Sequence, residues 1–137
     1  VKDTGPSFIS DYITKAWSSG GAGPDDFNCY GLVRDVYRTQ WDIDLPEFMV
    51  EADDIRATVG TIADELKKAR WEELDGPEHG ALTLFSYRVV PTHVGIWLDY
   101  DGGVVLHSSK QLNITCTPLH ILQQYGFIRP RFFTYVT

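Results

Sequence analysis

The spacing of apolar residues changes character once along this chain, and that change restricts the fold more than any other feature. Phe8, Ile9, Tyr12, Ile13 and Trp17 recur at helical spacing over residues 6–18, and Leu32, Val33, Val36 and Tyr37 do so over 28–40. Val59, Ile62, Ala63, Leu66, Ala69 and Arg70 support a further helix over 50–72, with Asp53, Asp54, Glu65, Lys67 and Lys68 as its solvated face and Trp71 as a core residue. From Leu82 onward the pattern alternates as in strands, broken only by a short helix over Pro118–Gln124 before a last strand near Ile128 to Tyr135. Helices first and antiparallel strands afterwards predict an α+β fold, with the N-terminal helices packed on a curved antiparallel sheet. No repeat, low-complexity tract or linker divides the 137 residues, so one domain over 1–137 is expected, large enough to bury a substantial core.

Within that frame, Asp25-Asp26-Phe27-Asn28-Cys29-Tyr30-Gly31-Leu32-Val33 sets a cysteine where a polar turn becomes a helix. The first N–H groups of a helix lack intrahelical partners and carry partial positive charge, so they favour a thiolate and can donate to an oxyanion. Asp26 or Asn28 can cap the helix. The bland alternative is a small, inert buried residue.

Downstream, Thr92-His93-Val94-Gly95-Ile96-Trp97-Leu98 and Val104-Val105-Leu106-His107-Ser108-Ser109 flank an Asp- and Gly-rich turn and read as a β-hairpin. A three-residue loop with Leu98 facing Gly102 makes paired residue numbers sum to 200 and sets His93 directly opposite His107. A tight Asp101-Gly102 turn would instead send the two histidines to opposite faces. The even register is the expected one, because it joins two histidines that otherwise have no common explanation. Cys29 as nucleophile, His93 as its base and His107 as the group that orients His93 are then the parts needed for cysteine acyl transfer. Backbone N–H groups at Cys29 or Tyr30 would stabilise the oxyanion.

These residues resemble the NlpC-type cysteine peptidases, papain-like enzymes that cut the peptides of bacterial cell walls. Four separated pieces agree in order: Asn28-Cys29-Tyr30-Gly31-Leu32-Val33, Gly80-Ala81-Leu82-Thr83-Leu84-Phe85, His93-Val94-Gly95-Ile96-Trp97 and Leu106-His107-Ser108-Ser109. The resemblance implies a papain-like α+β fold, a Cys29-His93-His107 triad, and a peptidoglycan stem peptide cut between D-glutamate and the following diamino acid. It also directs attention to Trp17, Tyr30 and Ser108 as oxyanion or substrate-binding positions. A narrower resemblance, to phage tail-associated members, is carried by Trp17 with Gly20-Gly21, by Cys29-Tyr30-Gly31-Leu32-Val33-Arg34, Tyr37 and Leu45-Pro46, and by Gly126-Phe127-Ile128-Arg129-Pro130. That resemblance implies a phage or prophage enzyme, made in the cytoplasm and carried in a tail to the periplasm or cell wall, with tail proteins as further partners. Asn28 and Ala81 replace Asp residues common in the family, Tyr30 replaces a frequent Ser, and Trp17 stands where many cellular members have Tyr. An indole N–H donates but cannot accept.

Other chemistry finds little support. The formal net charge of -7 and the absence of any long basic run speak against a nucleic-acid partner. No apolar run is long enough to span a bilayer and no signal segment opens the chain. The two cysteines do not suggest a disulfide framework, and Cys116, in an alternating segment, reads as structural. His79 and His120 have no companion ligands at metal spacing, so neither metal nor cofactor is expected. Tyr87 and Trp97 are candidate groove walls with core packing as the alternative, and Arg88, Lys110 and Arg129 are candidate carboxylate contacts. Two other function classes stay open: a tail-assembly module acting by binding or by processing a tail protein, and an amidase or acyltransferase using the same thiol.

Overall fold

A computed structural model of the chain describes residues 5–46, 66, 70–87 and 90–136. Most of the helix expected over 50–72 lies outside them, as do Arg88 and the Tyr87 side chain. The helices are α1 (Ile9–Ile13), which continues a 3-10 turn over Pro6–Phe8, α2 (Cys29–Trp41) and α3 (Leu119–Gln124). Strands β1 (Ala16–Trp17) and β2 (Asp26–Phe27) form a small parallel pair. The main sheet holds β3 (Trp71–Leu74), β4 (Leu82–Tyr87), β5 (Val90–Leu98), β6 (Val104–Ser109), β7 (Asn113–Thr117) and β8 (Phe127–Tyr135). Its order is β3-β8-β4-β5-β6-β7, and every neighbouring pair is antiparallel.

Helix α2 obeys its sequence. Asn28 caps it, its side chain accepting the Gly31 N–H at 2.7 Å, and Asp42 ends it in the left-handed conformation at φ 56°. Leu32, Val33, Val36 and Tyr37 face inward and meet Leu82, Leu84, Val94, Ile96, Leu98 and Leu106 from the sheet in the main core. A second apolar cluster of Phe85, Val105, Leu122 and Phe127 carries α3. Helix α1 is tied to α2 by the Tyr12 hydroxyl, which donates to Asp35 at 2.7 Å and contacts the Thr39 hydroxyl at 3.0 Å.

Three expectations are corrected. The first helix stops at Ile13 rather than 18, and Trp17 lies in β1, because long-range partners claim its backbone. Its N–H donates to the Asn113 side chain at 3.2 Å, and the neighbouring Ala16 and Ser18 N–H groups donate to Asp25 and Phe27 carbonyls. Trp71 is not helical but lies in edge strand β3, paired with β8, where its ring packs on Tyr135 and Tyr37. The hairpin loop is five residues, not three, with Leu98 opposite Val104, so paired numbers sum to 202. Asp101, Gly102 and Gly103 all take positive φ, which lets a longer loop close with a Gly103 N–H to Tyr100 carbonyl bond of 2.9 Å.

Candidate active site

The two-residue shift in register keeps His93 and His107 on one face but makes them diagonal neighbours. Continued along the hairpin, the pairing sets Gly95 opposite His107. A Cβ at Gly95 would meet Val105 Cγ1 at 2.7 Å and His107 Cβ at 3.0 Å, so the missing side chain gives the imidazoles room to meet. His93 Nε2 lies 3.0 Å from His107 Nδ1, with the ring planes at 89°. The β4–β5 pairing also shifts between Phe85 and Ser86, leaving Thr92 as an extra residue next to His93. Such a bulge re-aims the side chain beside it. Phe127 stacks on the His93 ring at 4.4 Å between centroids, and Phe85 flanks it at 6.0 Å.

Cys29 is the first residue of α2, and the helix packs against β5 and β6. Their ladder runs from Leu98–Val104 to Ile96–Leu106. The N–H of Val94, two residues past that end and adjacent to His93, points at the Cys29 sulfur together with the N–H groups of Tyr30 and Cys29 itself. The other early N–H groups of α2 are taken, Gly31's by the Asn28 side chain and Leu32's by the Asn28 carbonyl at 3.1 Å. Asn28 also anchors the preceding loop, its side-chain amide donating to the Ser19 carbonyl and its backbone N–H to Gly21. The Gly21 carbonyl lies against Gly31, where a Cβ would sit 2.3 Å from that oxygen, so the loop packs onto the first turn only because position 31 is glycine.

Burial controls the resting charge states. It pushes the Cys29 thiol upward against the opposing pull of the three amides. It lowers His107 to about 4, and burial together with the neighbouring His107 holds His93 well below the usual histidine range. Both imidazoles are therefore neutral near pH 7, and the bond between them has one donor and one acceptor nitrogen.

The other anticipated positions separate. The Tyr30 ring is buried and its hydroxyl donates to the Pro46 carbonyl, so only its backbone N–H attends the sulfur. Trp17 is half-buried beside β7 through the Asn113 contact. Ser108, expected on the substrate side, is fully buried and donates to the Phe27 carbonyl at 2.6 Å, tying β6 to the strand that precedes Cys29. Trp97 packs against the second apolar cluster rather than standing free as a groove wall. Lys110 and Arg129 are exposed. Both cysteines are unpaired thiols.

Sequence reasoning missed Thr115. It lies directly across from His107 in the β6–β7 ladder, and its hydroxyl is 3.0 Å from His107 Nε2 and 2.8 Å from the Thr117 hydroxyl. The alternation of Asn113, Thr115 and Thr117 was visible, but nothing in it named the strand or residue these side chains would face.

A helix whose first residue is a cysteine, set against an antiparallel sheet that carries two touching histidines, defines a papain-like fold. Solved structures share it, two of which follow. The NlpC/p60 domain of the peptidoglycan hydrolase SagA matches with a TM-score of 0.60 and 19% identity over 95% of this chain and 94% of that one. NlpC1 from Trichomonas vaginalis matches with a TM-score of 0.59 and 18% identity over 93% of this chain and 42% of that one. The NlpC/P60 family model matches residues 14–128, and the chain belongs to that family. No curated protein matches it by sequence. Among the described residues there is no cluster of metal-ligating side chains and no helix long and apolar enough to cross a membrane.

Proposed function

We propose that this chain is a cysteine peptidase that hydrolyses peptidoglycan stem peptides, acting between D-glutamate and the diamino acid that follows. The 3.0 Å contact of His93 Nε2 with His107 Nδ1 carries the reading, because it commits one nitrogen of His93 and leaves Nδ1 for the Cys29 thiol, whose sulfur is met by the N–H of the next residue, Val94. Cys29 gives its proton to His93 and attacks the carbonyl. The thiol and imidazole ionise together by internal transfer, so the pair stays neutral overall and escapes much of the burial penalty that opposes each group alone. The oxyanion is met by the N–H groups of Cys29 and Tyr30. His93 returns the proton to the departing amine as the C–N bond breaks, and water then hydrolyses the thioester. Family membership and the likeness to a peptidoglycan hydrolase support the substrate class.

Digestion of purified muropeptides by wild type and Cys29→Ala, with products identified by mass spectrometry, tests this. The expected result is cleavage after D-glutamate that vanishes in the variant; no cleavage by folded wild type across several stem-peptide chemistries overturns it. We further propose a single domain over 1–137 that travels in a phage or phage-like tail, on the strength of the tail-type pattern from Trp17 to Pro46 and of Gly126–Pro130. Proteomics of purified particles decides this, since a protein absent from them has no tail role.

A further inference from the structure

We infer that Thr115 is a positioning residue that fixes the proton on His107 Nε2, with Thr117 as the far end of the same chain of hydrogen bonds. The inference rests on the reading of Cys29 and His93 as nucleophile and base, and follows from counting protons through the contacts. His93 Nε2 meets His107 Nδ1 at 3.0 Å, His107 Nε2 meets Thr115 Oγ1 at 3.0 Å, and Thr115 Oγ1 meets Thr117 Oγ1 at 2.8 Å. When His93 takes the thiol proton, both of its nitrogens carry hydrogen and neither can accept. His107 must then accept at Nδ1, and its own single proton must sit on Nε2. His107 is fully buried, so that N–H needs a protein acceptor, and among the described residues Thr115 Oγ1 is the one in reach. Thr115, having accepted, donates its own proton to Thr117.

The opposite polarity, with Thr115 donating to His107 Nε2, moves the His107 proton to Nδ1. His93 then has to accept at Nε2 and carry its proton on Nδ1, which disables it as the base for Cys29. A hydroxyl at 115 that is itself bonded to a second hydroxyl thus permits the productive tautomer, and an apolar residue there removes the acceptor the imidazolium state requires. The pairing of His107 with Thr115 in the β6–β7 ladder holds the two side chains at this separation.

The direct test needs neither substrate nor variant: the ring-nitrogen chemical shifts of ¹⁵N-histidine-labelled wild type report which nitrogen of His107 is protonated. Protonated Nε2 with bare Nδ1 is expected; the reverse overturns the inference. As a second test, Thr115→Val should slow alkylation of Cys29 by iodoacetamide at pH 7.5 about tenfold and lower kcat by a similar factor with KM little changed, from loss of one buried acceptor. Thr115→Ser should restore both. A folded Thr115→Val protein that matches wild type in both overturns the inference. Because tautomer and alkylation are read without muropeptide, absence of muropeptide cleavage with these signatures intact would refute the peptidase assignment and leave the positioning role standing.

Discussion

Cys29 and Cys116 make an instructive pair, since both are unpaired thiols drawn out of water and both are pushed upward by burial. Their surroundings differ in what would receive a negative charge. At Cys29 three backbone N–H groups point at the sulfur, and the residue after His93 supplies one of them. Cys116 lies within β7 opposite Leu106 and packs on the main core, and burial, aided by the negative charge of Asp101, raises it to about 11. Removal from water makes a thiol inert; removal from water beside fixed donors and a proton acceptor prepares it to ionise when the proton has somewhere to go. The position on a helix start, rather than the residue type, separates the two.

The comparison can be broken most decisively by substitution. Cys29→Ala should abolish hydrolysis, a loss of at least about a thousandfold, whereas Cys116→Ala should stay within about twofold of wild type. Comparable losses in kinetic assays of the two folded variants would end the distinction. Acid sharpens it next, because His93 adjoins Val94, whose N–H meets the Cys29 sulfur, whereas Cys116 shares the sheet face of Leu106 and not that of His107. His107 titrates at about 4 folded against 6.5 as a free group, so the unfolded chain binds its proton first. Stability is therefore unaffected above about pH 6.5 and falls as pH drops toward 4, with His107 alone contributing about 2 kcal/mol of loss by pH 5. Urea melts at pH 7 and pH 5 measure this, and a His107→Gln protein with the same pH dependence as wild type would show the cause lies elsewhere. The smallest effect concerns the seat of the thiol. Asn28→Ala deletes the cap on Gly31 and should cost about 1 kcal/mol of stability. The same melts give the figure, and an unchanged midpoint would mean the Gly20-Gly21 loop holds the helix start without that side chain.

Much of the frame was legible because local chemistry and long-range packing agree. Asn28 was expected to be able to cap α2 and does, and the segments for β6, β7, α3 and β8 fall within a residue or so of their observed bounds. Where local and distant demands conflict, the sequence misleads. Trp17 continues a helical stripe, yet it is drawn into β1 by bonds that reach as far as Asn113. Trp71 fits the end of a helical pattern but pairs with Tyr135, far along the chain near its last residues. The histidines were correctly put on one face, since an even shift preserves parity, but the loop length was off by two residues because Asp101 joins two glycines at positive φ.

By itself the sequence determined where the candidate residues lie and which elements hold them: a cysteine opening a helix, and two histidines on the strands of one hairpin. These follow from short-range rules, because capping, alternation and turn propensity act over a few residues. Only the tertiary structure decided that Ser108 serves as a buried tie to Phe27, that Val94 turns its N–H toward the sulfur, and that Thr115 meets His107. Each of these depends on where one strand's pairing ends or on which residue of another strand lies opposite. That register is set by the packing of the whole sheet against α2 and α3, which no local stretch of the chain encodes.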